Sequence, residues 1–149
     1  MRRLALYLLL LALGSAYGAA KDATVAELKA RLESARTEDR PELCMQIARD
    51  QLRSADTLYQ DGNVAQAAAA VDDVVSYSEK ARDAATQTKK HLKNVEIDVR
   101  KMAEKLRDIK RTLAFEDQLP VERAIRRLED VRTALLQEMF AKDKKKEKK

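Results

Sequence analysis

The sequence predicts an all-α fold: an elongated helical hairpin or bundle, coiled-coil-like, with a long heptad-patterned central helix. Three observations carry that expectation. Glycine and proline number only 3 and 2 in 149 residues. Ala, Leu, Glu, Lys, Arg and Gln dominate, and these residues lose least on entering a helix. An apolar or small residue also recurs in strict 3,4 alternation from Val64 to Leu113, the spacing of a helix–helix seam.

The first segment stands apart from that fold. Arg2 and Arg3 precede the apolar run Leu4 to Leu13, and Gly14 to Ala20 are mostly small. A charged start, a short apolar centre and a small-residue exit form a secretory signal peptide. Cleavage is expected after Gly18 or after Ala20, placing the mature chain in the periplasm or outside the cell. The apolar centre is about half the ~20 residues that a bilayer span needs, and the competing reading is a retained anchor. No later run reaches spanning length, so no transmembrane segment is expected after cleavage. Residues 21–141 are then one helical domain, and residues 142–149 a basic, disordered tail.

Four helices are expected in that domain, over about 24–37, 40–60, 63–115 and 120–141. Thr24 and Glu27 have the spacing of a capping box, and Val25, Leu28, Leu32 and Ala35 follow as one stripe. The second helix opens at Pro41, where a missing N–H costs nothing. Leu43, Ile47, Ala48, Leu52, Ala55 and Leu58 or Tyr59 line its inner face. Gly62 suits a left-handed helix stop, and Asn63 is placed to cap the next helix.

The third helix carries the seam. Its first half is small: Val64, Ala67, Val71, Val74, Ser78, Ala81, Ala85 and Thr88. Its second half is bulky: Leu92, Val95, Val99, Met102, Leu106, Ile109 and Leu113. Unbroken, such a helix would run ~75 Å. A break near Thr86-Gln87-Thr88 is the alternative. A turn over Glu116–Pro120 leads into the fourth helix, where Val121, Ala124, Leu128, Val131 and Leu135 repeat the spacing. A turn this short predicts an antiparallel return along Leu92–Leu113.

Charge and chemistry narrow the function classes. The net charge is +5, but residues 21–141 carry −1. The excess sits in Arg2, Arg3 and the tail, where Lys142, Lys144, Lys145, Lys146, Lys148 and Lys149 face only Asp143 and Glu147. A basic groove for nucleic acid is therefore not expected, and aromatic residues at 4% do not support base stacking. The six lysines are candidate contacts to an anionic surface. His91 is the only histidine and Cys44 the only cysteine. His91 lies beside the seam, and Cys44 sits among Leu43, Met45 and Ile47 as a core residue. Asp72 and Asp73 point about 100° apart on a helix and read as a solvated edge. No phosphate loop or nucleophile elbow is present. No cofactor, metal or catalytic residue is expected.

Residues 43–81 resemble a single tetratricopeptide-type helical hairpin. Gly62 matches the turn glycine, and Ala67, Val71 and Val74 match the small and apolar positions of the second helix. Gln51 and Ser54 depart from the large aromatic and leucine of that pattern, and no second copy recurs at ~34 residues. The signal peptide, the long 64–113 helix and the high pI are together similar to periplasmic OmpH-type chaperones, without the strand segments of their oligomer body. The expected function is an exported, non-catalytic interaction or scaffold protein, working through helix contacts with a protein partner or a second copy. A holdase chaperone with helical arms is the alternative.

Overall fold

The computed structural model describes residues 23–146, with side chains described through Ala141. The expected signal peptide, Lys148 and Lys149 lie outside the described residues, as do the side chains of Lys142, Lys144, Lys145 and Lys146. Five α-helices and one 3-10 turn make up the described chain: α1 Val25–Ser34, α2 Arg40–Gln60, α3 Val64–Thr88, α4 Leu92–Thr112, the turn Phe115–Asp117, and α5 Gln118–Lys146. The fold is an all-α bundle.

Local chemistry sets the ends. Thr24 Oγ1 accepts from the Glu27 N–H at 3.2 Å, and a Glu27 carboxylate oxygen accepts from the Thr24 N–H at 2.9 Å. This is the reciprocal capping box. α1 stops at Ser34, three residues short of Thr37. Arg36 pairs with Asp39 and the Asp39 N–H bonds the Arg36 carbonyl, closing a turn ahead of Pro41. α2 ends in a Schellman motif. The Asn63 N–H reaches the Leu58 carbonyl at 2.8 Å and the Gly62 N–H reaches Tyr59 at 3.1 Å. Gly62 supplies the required left-handed backbone at φ 78°. Asn63 precedes α3 but makes no side-chain cap.

The expected 63–115 rod is two helices. Lys89 and His91 both hold left-handed φ, 57° and 63°, which stops α3 and turns the chain back. The Thr88 hydroxyl donates to the Ala84 carbonyl at 2.8 Å and accepts from the Lys90 N–H at 3.4 Å. It competes with the helix ladder at the point of arrest. The break falls just past the Thr86–Thr88 alternative. Val95–Val99, which alternates like a strand, is helical. The fourth expected helix also grows at both ends. It starts at Gln118 and runs to Lys146, so the tail expected to be disordered is helical through that residue.

Side-chain pairs define the arrangement. Arg49 meets Asp98 and Lys105 meets Asp56, both at 2.6 Å, so α2 and α4 run parallel. Arg127 grips Glu79 at 2.9 Å and Lys89 pairs with Glu138, so α3 and α5 also run parallel. All four pairs join residues 48 or 49 apart. The chain is thus two antiparallel hairpins, α2–α3 and α4–α5, laid side by side. α1 runs against α2, burying Leu28 completely. Its Lys29 reaches Asp73 on α3 at 3.2 Å, and its ammonium faces the Tyr77 ring.

Candidate functional site

Every seam residue lies inside this arrangement. Val71, Val74, Leu92, Val95, Val99, Met102, Leu106, Ile109, Val121, Leu128, Val131 and Leu135 are buried, and Leu113 packs against the core at its edge. The seam joins helices within the chain. Ser78 interrupts it without penalty, because its hydroxyl donates to the Val74 carbonyl at 2.7 Å.

The candidate chemical residues stay apart. Cys44 is 1% exposed, and burial pushes its thiol up to about 11, against the smaller opposing pull of Lys80 and Arg40. It is a neutral core residue at physiological pH. His91 is exposed in the α3–α4 link and lines a groove between the α1–α2 corner and that link. Cys44 lines a different groove, bounded by α1, α2 and α3. Asp73 is engaged by Lys29 and by Gln51 at 2.6 Å, which makes it a strut between α1, α2 and α3. Among the described residues, no cluster of His, Cys, Asp or Glu could hold a metal ion.

One ionic chain covers the face of α4 and α5. Glu96, only 8% exposed, accepts from Arg132 at 2.8 Å, with Arg100 near. Arg132 also reaches Glu129, which Arg107 grips at 2.5 Å. The hydrogen bond from Arg132 to Glu96 raises the guanidinium above its ordinary value. Nearer the turn, Arg107, Lys110, Arg111 and Arg126 border a groove floored by Ile125. Glu122 answers both Arg126, at 2.9 Å, and Lys110, at 3.7 Å. These groups satisfy each other.

Among the described residues, the large exposed apolar side chains lie at the two poles. The chain holds two phenylalanines, and both are exposed: Phe115 at 89% and Phe140 at 61%. Leu119 at 49% joins Phe115 at the α4–α5 turn. That pole also holds the Asp61–Asn63 turn of the other hairpin. Between the two turns lies the Tyr59 hydroxyl, buried with no hydrogen-bond partner. Burial raises its pKa, and the charges of Asp117 and Asp72 add to the effect. The turn itself is firmly built, with the Asp117 N–H on the Ala114 carbonyl at 3.0 Å and the Gln118 amide on the Leu113 carbonyl at 3.0 Å. Phe115 is therefore presented on a closed turn.

Sequence reasoning passed over Phe115, and read Phe140, with Ile125, Leu136 and Met139, as added apolar surface beside the stripe of the last helix. The signal available was that both phenylalanines fall off the 3,4 seam in a chain whose aromatic content is 4%. No family model matches the chain, and neither a curated protein nor a solved structure matches it. No described helix is long and apolar enough to cross a membrane.

Proposed function

We propose that this protein is an exported, non-catalytic helical scaffold that engages a protein partner in the cell envelope. The observation that carries the reading is the pole formed by Phe115 and Leu119. A folded chain that buries its seam so completely, yet holds an aromatic ring 89% exposed on a closed turn, presents an anchor for a partner. Buried aromatic anchors dominate protein interfaces. Export rests on the residues 1–20 pattern. Interaction rather than catalysis is favoured because Cys44, His91 and Asp73 are separated and separately accounted for.

The test uses the chain from residue 21, which contains every described residue. Light scattering after size exclusion, with reductant present, is expected to give a monomer, since the seam is occupied within the chain. In the full chain, with residues 1–20 kept for export, a photo-crosslinking residue at position 115 is expected to give one discrete protein adduct in the native envelope. The same residue at exposed position 101 should give none. No adduct at 115, or equal adducts at both positions, refutes the reading. Suppression of aggregation of a model client at near-stoichiometric ratio would establish the holdase reading instead.

A further inference from the structure

The turn that presents Phe115 opens onto a basic groove. Lys110 and Arg111 close α4, Gln118 opens α5, and all three line the groove with Arg107 and Arg126. Four cations and a single carboxylate, Glu122, thus border a floor made by half-buried Ile125. The ion pairs hold these cations in place without exhausting their donors. Arg111 gives one nitrogen to Asp108 and Arg126 gives one to Glu122, whereas a guanidinium carries five N–H donors. Lys110 stands 3.7 Å from the same Glu122, beyond a hydrogen bond. The Arg111 and Arg126 side chains are 75% and 60% exposed, so an incoming carboxylate reaches both.

Resting on the reading of Phe115 and Leu119 as an anchor, we infer that the protein partner docks an acidic segment here. Its carboxylates meet Lys110, Arg111 and Arg126 in the groove, and an apolar side chain meets the Phe115 turn. Four cations against one carboxylate select an acidic occupant by charge complementarity. The planar arginine fork suits a carboxylate, which can accept two parallel N–H bonds. Ile125 adds an apolar floor between the charges, as in the core of an interface with a polar rim. An anionic bilayer would match the cations but not the turn. Glu116 and Asp117 follow Phe115 directly, and both would be pressed against lipid phosphates if the ring entered the headgroups. A protein segment avoids them by placing its carboxylates farther along, on the groove.

The experiment uses the full chain in the native envelope, with an aromatic photo-crosslinking residue at position 115, and reads the crosslinked peptide by mass spectrometry. Gln118 to Arg126 spans roughly 12 Å of helix, the reach of about four extended residues. The captured peptide is therefore expected to carry an excess of Asp and Glu within about five residues of the crosslink. Lys110→Gln, Arg111→Gln and Arg126→Gln together should lower the adduct yield roughly tenfold. Arg31→Gln, Lys80→Gln and Lys93→Gln together remove three exposed cations elsewhere and should leave it unchanged. None of the six lies in the core, so helical circular dichroism should match across the variants. An adduct whose yield survives the groove variant overturns the acidic partner and leaves the Phe115 anchor standing. A captured peptide without the acidic excess does the same, whatever the variants do. Equal loss in both triple variants would assign the effect to net charge and overturn the groove. No adduct at 115, or an adduct of lipid, removes the anchor and this inference together.

Discussion

Replacing Lys89 and His91 by glycine, one at a time, tests the α3–α4 break by the sign of the effect. Both residues hold left-handed backbone, at φ 57° and 63°. An L-residue there costs roughly 1–2 kcal/mol. Glycine removes that cost and gives back about 0.5–1 kcal/mol through the extra freedom of the unfolded chain. His91→Gly should therefore stabilise the fold by about 0.5–1 kcal/mol. Lys89→Gly should gain less, because it gives up the exposed ion pair to Glu138, worth no more than about 1 kcal/mol. Thermal unfolding followed at 222 nm should raise Tm by roughly 2–4 °C for His91→Gly. Lys90→Gly, between them but without positive φ, should lower it. In a continuous helix, glycine at 89 or 91 would instead cost about 1 kcal/mol. A lower Tm for His91→Gly therefore refutes the break.

Leu106 is fully buried in the seam, so Leu106→Asp should cost more than about 4 kcal/mol as an unpaired carboxylate in an apolar site. Lys101→Asp, exposed on the same helix, should stay within about 0.5 kcal/mol; equal urea midpoints would sink the register. Gly62→Ala meets no atom within 4 Å, yet must hold φ +78°, so a loss of about 1 kcal/mol is expected from backbone strain alone, and an unchanged Tm would contradict the Schellman turn. Cys44, with its thiol raised to about 11, should resist alkylation at pH 8 in the folded protein and react at once in urea. Rapid native labelling, read by mass spectrometry, would place the thiol outside the core.

Much of the fold was legible because its signals are local. Thr24–Glu27 and Gly62 act within a few residues, and the seam is a 3,4 rhythm readable along the chain. The break was obscured by that same rhythm. Thr88 and Leu92 are four apart, so the spacing continues across three residues that are not helical. Lys89 and His91 also lack the glycine that usually marks a left-handed stop. The pairing of the hairpins was illegible for another reason. Arg49–Asp98 and Arg127–Glu79 join residues 49 and 48 apart, and no short-range pattern encodes such a distance. Glu96 reads as a surface residue until Arg132 reaches it from α5. Of the candidate site, the lysines were visible as a charge run. Phe115 was not, and Phe140 read as apolar surface beside the stripe, because exposure is a property of the assembled helices.

The break itself follows from magnitudes. α3 is built from small residues, with Ala67, Ala70, Ala81, Ala84, Ala85 and Ser78 buried. It can therefore be approached closely by α2 on one side and α5 on another. α4 carries the bulky stripe, and Leu92, Val95, Val99, Met102, Leu106 and Ile109 are each no more than 7% exposed. Burying side chains of that size is worth about 1.5–3 kcal/mol each, so six give roughly 9–18 kcal/mol as an upper bound. A continuous rod would carry this stripe away from α2 and leave α5 alone to cover it. α5 supplies most of the packing on α4, so about a third of that burial, roughly 3–6 kcal/mol, would be forgone. Two left-handed residues cost about 2–4 kcal/mol. Burial of the stripe outweighs that backbone strain and favours the fold-back. The exposed pairs of Lys89 with Glu138 and Lys90 with Glu38 then hold the strained link where the burial requires it.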